Sequence, residues 1–354
     1  MIADTKWWNP SVHAERRERL IQRNKILLNI RNWFLNNNFV EIEPGCVQRM
    51  PCMERHLHAF RVVPSYPRAM DDLYLHTSPE FSCKKIIAAG EKKVFSLCKV
   101  WRDDFSSPVH SSEFTMLEWY CADADYYDMM AVCESMIKSV AAEMQVSEYH
   151  YGDKHCNFSS GEWERLTVDK AFEKYASVIL SEGNVTDREQ HLRGELESAG
   201  INCSDDDTWS DMFAKVLVGH VELALNNIIN PVFLYNYPPE EAVFSKIIHN
   251  GDVKYAERFE LYMAGYEIAN GASELTDCTE QISRFEAEQS IRMNRYGVKY
   301  KCDDSVLKAM DTFPDRLAGV AVGVDRLVMI MTGASDITQV VWEPDNFVYG
   351  CGNM

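Results

Sequence analysis

One group of residues suited to chemistry lies around a predicted β-hairpin. Arg102 follows the strand-like run Val94–Trp101, His110 lies in the polar loop, and Phe114 opens the return strand. An arginine at a strand end can bind a phosphate with two hydrogen bonds, a histidine can add a contact, and an aromatic ring can stack on a base. Alternation puts four side chains of the return strand on one face: Phe114, Met116, Glu118 and Tyr120. Each residue alone is more often structural, but their order predicts a phosphate site beside a polar pocket.

A second group consists of acidic residues. Glu260, Glu267 and Glu274 recur around Asn270-Gly271, which we interpret as a turn. Carboxylates gathered in this way suit Mg²⁺ that bridges to phosphates, or recognition of an ammonium group. A solvated acidic turn is the alternative, and these residues alone leave both interpretations open.

Small residues form the third group. Gly319–Val322 is predicted to be a strand without bulky side chains, Gly323 a turn, and Arg326 a residue of the first turn of an apolar helix. A strand of small residues lets a ligand approach the backbone closely. Because an unpaired buried charge is costly, we expect Arg326 to reach a partner or a cavity.

Periodicity and capping residues predict the elements that position these groups. Thr77-Ser78-Pro79-Glu80 offers a hydroxyl cap, a proline and an early acid, and Gly90 closes that helix. Other helices are predicted over residues 11–37, 125–145, 167–180, 205–228, 279–296 and 324–332, and other extended segments over 39–44, 114–122, 231–237 and 255–264. Residues 147–163 are predicted to be a polar loop or insertion, and residues 182–211, with nine acids and two arginines, a solvated face. Because strands and helices do not alternate, we expect an α+β fold with a mainly antiparallel sheet.

Composition narrows the classes of function. The 354 residues carry 36 Lys and Arg against 54 Asp and Glu, which gives a net charge of −18. This acidity argues against a nonspecific nucleic-acid binder, which needs a basic surface. Eleven cysteines without a C-x-x-C pair argue against a zinc ribbon and suit a reducing compartment. With no signal peptide and no membrane-length apolar stretch, we expect a cytoplasmic protein without a membrane partner. No glycine-rich phosphate loop occurs, so side chains must hold any nucleotide.

Together, these segments resemble the three signature motifs of class II aminoacyl-tRNA synthetases, in their order. Phe39–Pro44 resembles motif 1, Arg102–Phe114 motif 2 and Gly319–Leu327 motif 3. The lysyl branch is the most similar, through Ser-Pro-Glu at 78–80, Glu-Phe-Thr-Met-Leu-Glu at 113–118 and Glu-x-Ala-Asn-Gly at 267–271. The resemblance implies the catalytic core of that family, an α+β fold whose mainly antiparallel sheet is flanked by helices.

The resemblance also implies the domain organisation. It covers nearly the whole chain and implies one catalytic domain over 1–354, with a helical, acidic insertion at about 146–230, although length alone suggests two domains. Since motif 1 begins near the N-terminus, we expect no N-terminal OB-fold that binds an anticodon and no stable tRNA binding. Motif 1 implies a homodimer formed through its own region.

Truncated lysyl paralogues that join (R)-β-lysine to elongation factor P are the more similar branch. Glu54-x-His56-Leu57-x-x-Phe60 resembles that family, as does Ala321, where lysyl-tRNA synthetases have glycine. The resemblance implies an ATP-dependent ligase that forms an adenylate of (R)-β-lysine. The acyl group then passes to the ε-amine of a lysine on elongation factor P.

Family position implies a role for each matching residue. The ATP-binding set is Arg102, Asp103, Asp104, His110, Ser111, Phe114, Glu260, Leu261, Gly323 and Arg326. The resemblance implies that Arg102 and Arg326 of this set are the catalytic residues, and that Glu260, together with Glu267, binds Mg²⁺. The set around the diamino acid is Ser78, Pro79, Glu80, Glu118, Tyr120, Glu267, Asn270, Glu274 and Ala321.

The sequence also departs from the family pattern. Asp104 stands where glutamate is usual, Ser111 where asparagine is usual, and Pro108-Val109 lacks an arginine common in that loop. Two other hypotheses therefore stay open: a truncated enzyme that activates α-lysine for tRNA or another acceptor, and a non-catalytic paralogue. The absence of an anticodon-binding domain and the methyl group of Ala321 favour (R)-β-lysine and elongation factor P.

Overall fold

Strands and helices make up most of the chain. A computed structural model describes residues 7–66, 72–104, 106–151, 154–159, 161–180, 187–251 and 253–344. The strands of this part are β1 (Val40–Glu41), β2 (Val47–Gln48), β3 (Arg61–Val62), β4 (Leu73–Leu75), β5 (Lys93–Trp101), β6 (Glu113–Ala122), β7 (Glu148–Tyr151), β8 (Lys154–Asn157), β9 (Glu164–Thr167), β10 (Val232–Tyr237), β11 (Ile247–Asn250), β12 (Val253–Met263), β13 (Tyr266–Ser273) and β14 (Leu317–Gly323). The helices are α1 (Pro10–Asn36), α2 (Glu80–Ala88), α3 (Tyr126–Glu143), α4 (Val168–Ala176), α5 (Arg188–Ser198), α6 (Trp209–Val216), α7 (Glu222–Leu225), α8 (Cys278–Tyr296), α9 (Asp304–Met310) and α10 (Val324–Thr332).

One large sheet organises the fold. Its strands run in the order β1-β5-β6-β14-β13-β12-β10-β9, and β11 pairs with β12. In the described part of this sheet, β1 pairs with β5 and β9 pairs with β10 in parallel, and the other pairs are antiparallel. A small sheet of order β2-β4-β3 and a hairpin of β7 and β8 complete the β-structure of this region. The prediction of an α+β fold with a mainly antiparallel sheet is confirmed.

The two faces of this sheet have different environments. On β14, Ala318, Val320 and Val322 belong to the main hydrophobic core, which α1, α3 and α10 cover. Gly319 and Ala321 alternate with them and line a cavity on the opposite face. The central strands therefore anchor the core with one set of side chains and form a site with the other.

Helix ends follow the capping residues in the sequence. Helix α8 ends before Gly297 and α10 before Gly333, and both glycines adopt the left-handed conformation, with φ of 68° and 64°. A π-helical turn, Leu217–Val221, joins α6 and α7, so the helix predicted over 205–228 is interrupted. Among the helices of the described ranges, none has both the length and the apolarity that crossing a membrane requires.

One segment expected to lack regular structure contains it. Residues 147–163 were predicted to be a loop, but they hold the β7–β8 hairpin, whose Tyr149 and Cys156 are buried. Polar residues on its outer face hide the alternation in the sequence. Helix α5 lies within the acidic stretch 182–211, because Leu192 and Leu196 pack into a second hydrophobic core.

That second core lies within residues 146–230 and beyond them. Helices α4 to α7 pack there against β9 and β10. Since β9 pairs in parallel with β10, this segment adds a strand to the large sheet as well as helices. Residues 181–186, within the predicted insertion, lie outside the described residues.

The expected turn at Asn270-Gly271 is wrong. Both residues lie inside β13, and the chain turns at Ala264 and Gly265, whose φ angles are 51° and 73°. Gly271 serves close packing instead, because a Cβ there would lie 2.6 Å from the ring of Phe259. The Asn-Gly pair, which is typical of a turn, here lies in a strand that packs closely against its neighbours.

Candidate active site

A row of polar and small side chains crosses the sheet at the base of the cavity. Strand register pairs Glu118 with Ala321, Ala321 with Asn270, and Asn270 with Glu260. Because residues paired across antiparallel strands project to the same side, all four face the cavity, which has a volume of about 940 Å³. This volume is within the range of small-molecule sites.

A glycine leaves room for a tyrosine in the next row. Gly319 pairs with Tyr120, and a Cβ on Gly319 would lie 2.3 Å from the Tyr120 ring and 2.8 Å from Glu274 Oε1. The Tyr120 hydroxyl donates a hydrogen bond of 2.9 Å to Glu118 Oε2. The absence of a Cβ at position 319 leaves the space that this ring occupies, from which its hydroxyl reaches the carboxylate.

A buried lysine joins two of the carboxylates. Lys84 Nζ, on α2, lies 2.6 Å from Glu80 Oε1 and 2.6 Å from Glu274 Oε2. Burial alone would lower the pKa of Lys84, but the two carboxylates raise it above its ordinary value. Lys84 is therefore charged, and it holds Glu80 and Glu274 together at one wall of the cavity.

The third carboxylate of this wall is Glu118. It is buried and accepts a hydrogen bond of 2.6 Å from the Ser78 hydroxyl, which also accepts one from the Glu80 backbone N–H. Burial, then repulsion from Glu80, raises the pKa of Glu118 to about 8, and burial raises that of Glu274 to about 7. Three carboxyls around the single ammonium of Lys84 favour a ligand that brings further positive charge.

A second pair of acids lies farther along the sheet. Glu260 accepts hydrogen bonds from Arg258 at 2.6 Å and from the Tyr262 hydroxyl at 2.7 Å. Glu267, half-exposed to the cavity, has its pKa raised to about 7 by desolvation and by repulsion from Glu260. Two carboxylates that repel each other at a cavity wall fit a divalent cation, which would neutralise both.

The opposite part of the cavity is suited to an anion. The Arg102 guanidinium lies 5.3 Å from the centre of the Phe114 ring. Its Nε is buried and has no hydrogen-bond partner in the described part of the chain. A buried donor of this kind fits a phosphate oxygen, and the adjacent ring offers a face for a base.

Arg326 connects the loop between β5 and β6 to α10. Its guanidinium donates to the backbone oxygens of Val109 at 3.2 Å and Glu267 at 2.9 Å, and its Nη2 lies 2.5 Å from His110 Nε2. Desolvation and the adjacent Arg326 charge lower the pKa of His110, so the imidazole is neutral at neutral pH. The contacts of Arg326 therefore hold the loop over the cavity.

A buried ion pair lies behind Arg326. Asp325 pairs with Arg23 of α1 and accepts a 2.6 Å hydrogen bond from the Thr115 backbone N–H. Arg23 donates to the Thr115 hydroxyl at 2.7 Å. These bonds join α1, β6 and α10, and thus set where Arg326 and Phe114 stand relative to each other.

A model of the family described as tRNA synthetases class II (D, K and N) matches residues 5–346. The chain belongs to the class II aminoacyl-tRNA synthetase family. It is 32% identical over 344 residues to the elongation factor P–(R)-beta-lysine ligase of Salmonella arizonae. The aligned residues cover 96% of this chain and 98% of the relative. The ligase of the same name from Salmonella typhi is 31% identical over the same shares of both chains.

The cavity collects most of the site residues that the resemblance to class II synthetases predicted. Those that line it are Ser78, Glu80, Arg102, Asp104, His110, Ser111, Phe114, Glu118, Tyr120, Glu260, Glu267, Asn270, Glu274, Ala321, Gly323 and Arg326. Pro79, Asp103 and Leu261 are not among the lining residues. Pro79 is buried at the start of α2, Asp103 is exposed, and Leu261 points into the core because it alternates with Glu260 on β12.

Several residues of this synthetase-like site were not predicted from the sequence. Lys84 and Arg258 are the clearest, since each pairs with a predicted site carboxylate. Their spacing carried a signal: Lys84 follows Glu80 by four residues on a helix, and Arg258 precedes Glu260 by two on a strand. The pair of Arg23 with Asp325 had no local signal, because it joins opposite ends of the chain.

Proposed function

We propose that this chain activates (R)-β-lysine with ATP and transfers it to the ε-amine of a lysine on elongation factor P. The observation that carries the proposal is a single cavity with an acidic wall at one end and Arg102 and Arg326 at the other. A diamino acid and the phosphates of ATP have the charges that these two ends require. The ligases named above, similar over nearly their whole length, support the choice of substrate and acceptor.

The reaction has two acyl-transfer steps. In the first, the carboxylate of the amino acid attacks the α-phosphorus of ATP, pyrophosphate leaves, and an aminoacyl-adenylate forms. In the second, the ε-amine of the acceptor lysine attacks the acyl carbon, an amide bond forms, AMP leaves with the bonding electrons, and the amine loses a proton. No covalent intermediate with the enzyme is needed, so catalysis consists of positioning and charge neutralisation.

At the other end of the cavity, a few side chains bind the different parts of ATP. Arg102, with its unpartnered buried Nε, binds the α-phosphate, and Phe114 stacks on adenine. Arg326, on α10, and neutral His110, on the loop between β5 and β6, bind the terminal phosphate. Asp104 and Ser111 contact the nucleotide from the same loop.

Glu260 and Glu267 hold Mg²⁺ in this proposal. Bound there, the ion supplies neutralisation of phosphate charge. Glu260 is oriented for this role by its hydrogen bonds from Arg258 and Tyr262. Glu267 lies 3.8 Å from Arg326 Nη1, but desolvation and repulsion from Glu260 still raise its pKa to about 7, and a bound cation would favour its ionised form.

The acidic wall binds the two amines of the substrate. Glu118, Glu274 and Asn270 provide acceptors, and Tyr120 and Ser78 orient Glu118 through their hydroxyls. The Ala321 methyl stands between Glu118 and Asn270 in the strand register. It takes up space there that a glycine would leave free, and it sets the preference for the β-isomer.

Dimerisation through the motif 1 region is also part of the proposal. Exposed apolar side chains recur every seven residues along α1 at Ile21, Leu28 and Leu35, and Val40 continues them on β1. A stripe of this spacing favours packing against a second helix. Size-exclusion chromatography with light scattering tests it, and Leu28→Glu should yield monomers.

Pyrophosphate exchange tests the first step. With purified protein, ATP and (R)-β-lysine, we expect exchange well above that with α-lysine, and Ala321→Gly should shift the ratio toward α-lysine. Arg102→Ala should abolish exchange, whereas Arg61→Ala, which removes an exposed arginine paired with Asp72, should retain it. Faster exchange with α-lysine in the unaltered protein would contradict the substrate assignment.

Intact-mass spectrometry tests the second step. Incubation with elongation factor P, ATP and (R)-β-lysine should add one β-lysyl group to that protein, and the same mixture with tRNA should leave the tRNA uncharged. Charged tRNA and an unmodified protein would instead support the α-lysine hypothesis. Neither product, together with no exchange, would support a non-catalytic paralogue.

A further inference from the structure

A cluster of three side chains capable of binding metal lies on the β7–β8 hairpin. Strand register pairs His150 directly with His155, and Glu148 precedes His150 by two residues on β7. Residues two apart on a strand, and residues paired across strands, project to the same face. All three side chains therefore stand together on the outer face of this hairpin.

The donor atoms of the cluster already converge. His155 Nε2 lies 3.1 Å from Glu148 Oε2, and His150 Nε2 lies 3.4 Å from Glu148 Oε1. The two imidazole rings stack with centroids 4.0 Å apart and an interplanar angle of 15°. In a tetrahedral zinc site, two donor atoms that each lie about 2.1 Å from the ion lie about 3.4 Å from each other. The two Glu–His separations are close to this distance. Because a metal lies in the plane of an imidazole that binds it, the stacked rings of His150 and His155 must rotate about their side-chain torsions to share one ion, while the backbone stays in place.

The base of the hairpin is anchored in the core. Tyr149 and Cys156, which alternate with the cluster residues, are buried, and the Tyr149 hydroxyl donates to the Ala334 backbone oxygen after α10. The outer face is open, because Glu148 and His150 are exposed and His155 is half-buried. Solvent can therefore deliver an ion to donors that stand on a supported pair of strands.

The donor types select the class of ion. Two imidazole nitrogens and one carboxylate suit Zn²⁺, or Cu²⁺ and Ni²⁺, whereas Mg²⁺ prefers oxygen donors throughout. Three protein ligands also leave a fourth position for water or an outside ligand. None of the three residues lines the catalytic cavity, so this cluster shares no ligand with Glu260 and Glu267.

We propose that Glu148, His150 and His155 form a surface zinc site that joins β7 to β8. The bound ion connects the two strands and leaves one coordination position open. In this site Zn²⁺ takes no part in the adenylation reaction. Its ligands come from one hairpin, so each chain binds one ion independently of any partner.

A competition titration tests the proposal. Reduced protein competes with a chromophoric chelator for Zn²⁺, which is the only metal added. The unaltered chain should bind one more equivalent of Zn²⁺ than the double variant His150→Ala/His155→Ala. Glu148→Gln should weaken binding at that site by at least tenfold. The variants keep every cysteine, so the thiols contribute equally to each titration and the difference between proteins reports the hairpin alone.

His249→Ala is the matched control. His249 is an exposed histidine that pairs with Lys254 on another antiparallel hairpin, and its loss should leave zinc binding unchanged. Thermal unfolding supplies a second readout: Zn²⁺ should raise the Tm of the unaltered chain and of His249→Ala, but not of the double variant. Equal stoichiometry and affinity in the unaltered chain and the double variant would overturn the proposal, as would binding that His249→Ala weakens equally.

Discussion

Lys84→Met probes the charge balance of the acidic wall. The substitution keeps a long unbranched side chain but removes the ammonium that lies 2.6 Å from each of Glu80 and Glu274. The buried Glu274 and the partly buried Glu80 then lack this counter-ion in ligand-free protein. The change in the free energy of unfolding tests whether the positive charge of Lys84 allows Glu80 and Glu274 to lie close together.

The expected magnitude follows from burial. Removing one partner of a buried ion pair costs about 3–5 kcal/mol, because the other charge is left unpaired. Lys138→Met is the matched control: Lys138 pairs with Glu134 at the same i,i+4 spacing and the same 2.6 Å, but its side chain is 31% exposed against 7% for Lys84. Its loss should cost about 1 kcal/mol or less.

The free energy of unfolding that Lys84→Met loses should also depend on pH. With Lys84 present, the pKa of Glu274 is already raised to about 7, and loss of the ammonium raises it further. A carboxyl whose folded pKa exceeds its unfolded value binds more protons when folded, so the folded state loses stability as pH rises above the unfolded pKa. The gap between Lys84→Met and the unaltered protein should therefore be small at about pH 5 and larger at about pH 8.

Urea unfolding followed by tryptophan fluorescence measures these free energies at both pH values. The reasoning fails if Lys84→Met costs no more than Lys138→Met. It also fails if the deficit of Lys84→Met is the same at low and high pH, because unpaired carboxylates must respond to protonation.

Three further predictions concern the same site. Gly319→Ala should lower the free energy of unfolding by about 1–3 kcal/mol and raise the KM for the amino acid in pyrophosphate exchange, because the new Cβ displaces the Tyr120 ring; an unchanged KM would contradict this. Asp325→Asn should cost about 3 kcal/mol or more and slow exchange, and adding Arg23→Met should recover part of the stability, because the unpaired buried cation is gone; no recovery would remove the pair from its positioning role. Glu118→Gln should flatten the fall in Tm of ligand-free protein between about pH 5 and about pH 8, since the pKa of this carboxyl is raised to about 8; a slope equal to that of the unaltered protein would count against it.

Local patterns predicted much of the fold. The glycine caps of α8 and α10, and the alternation on β6 that brings Phe114, Met116, Glu118 and Tyr120 to the cavity, depend on residues a few positions apart, and the structure bears them out. The predicted hydroxyl cap of α2 is wrong, because Pro79 takes the N-cap position and no side-chain cap hydrogen bond is formed there. The β7–β8 hairpin was missed because its buried partners, Tyr149 and Cys156, stand among polar residues. Asn270-Gly271 misled because glycine serves crowded strands as well as turns.

Residue types and their spacing along the chain specify which chemical groups are present. These local properties include the arginines of the proposed anion site, the carboxylates of the proposed ammonium site and the order of three family motifs. How charge is distributed among these groups depends instead on the folded chain. Lys84 reaches Glu274, and Arg23 reaches Asp325, across long stretches of chain. Pairing and desolvation depend on which groups folding brings together, and therefore on the packed sheet rather than on spacing along the chain.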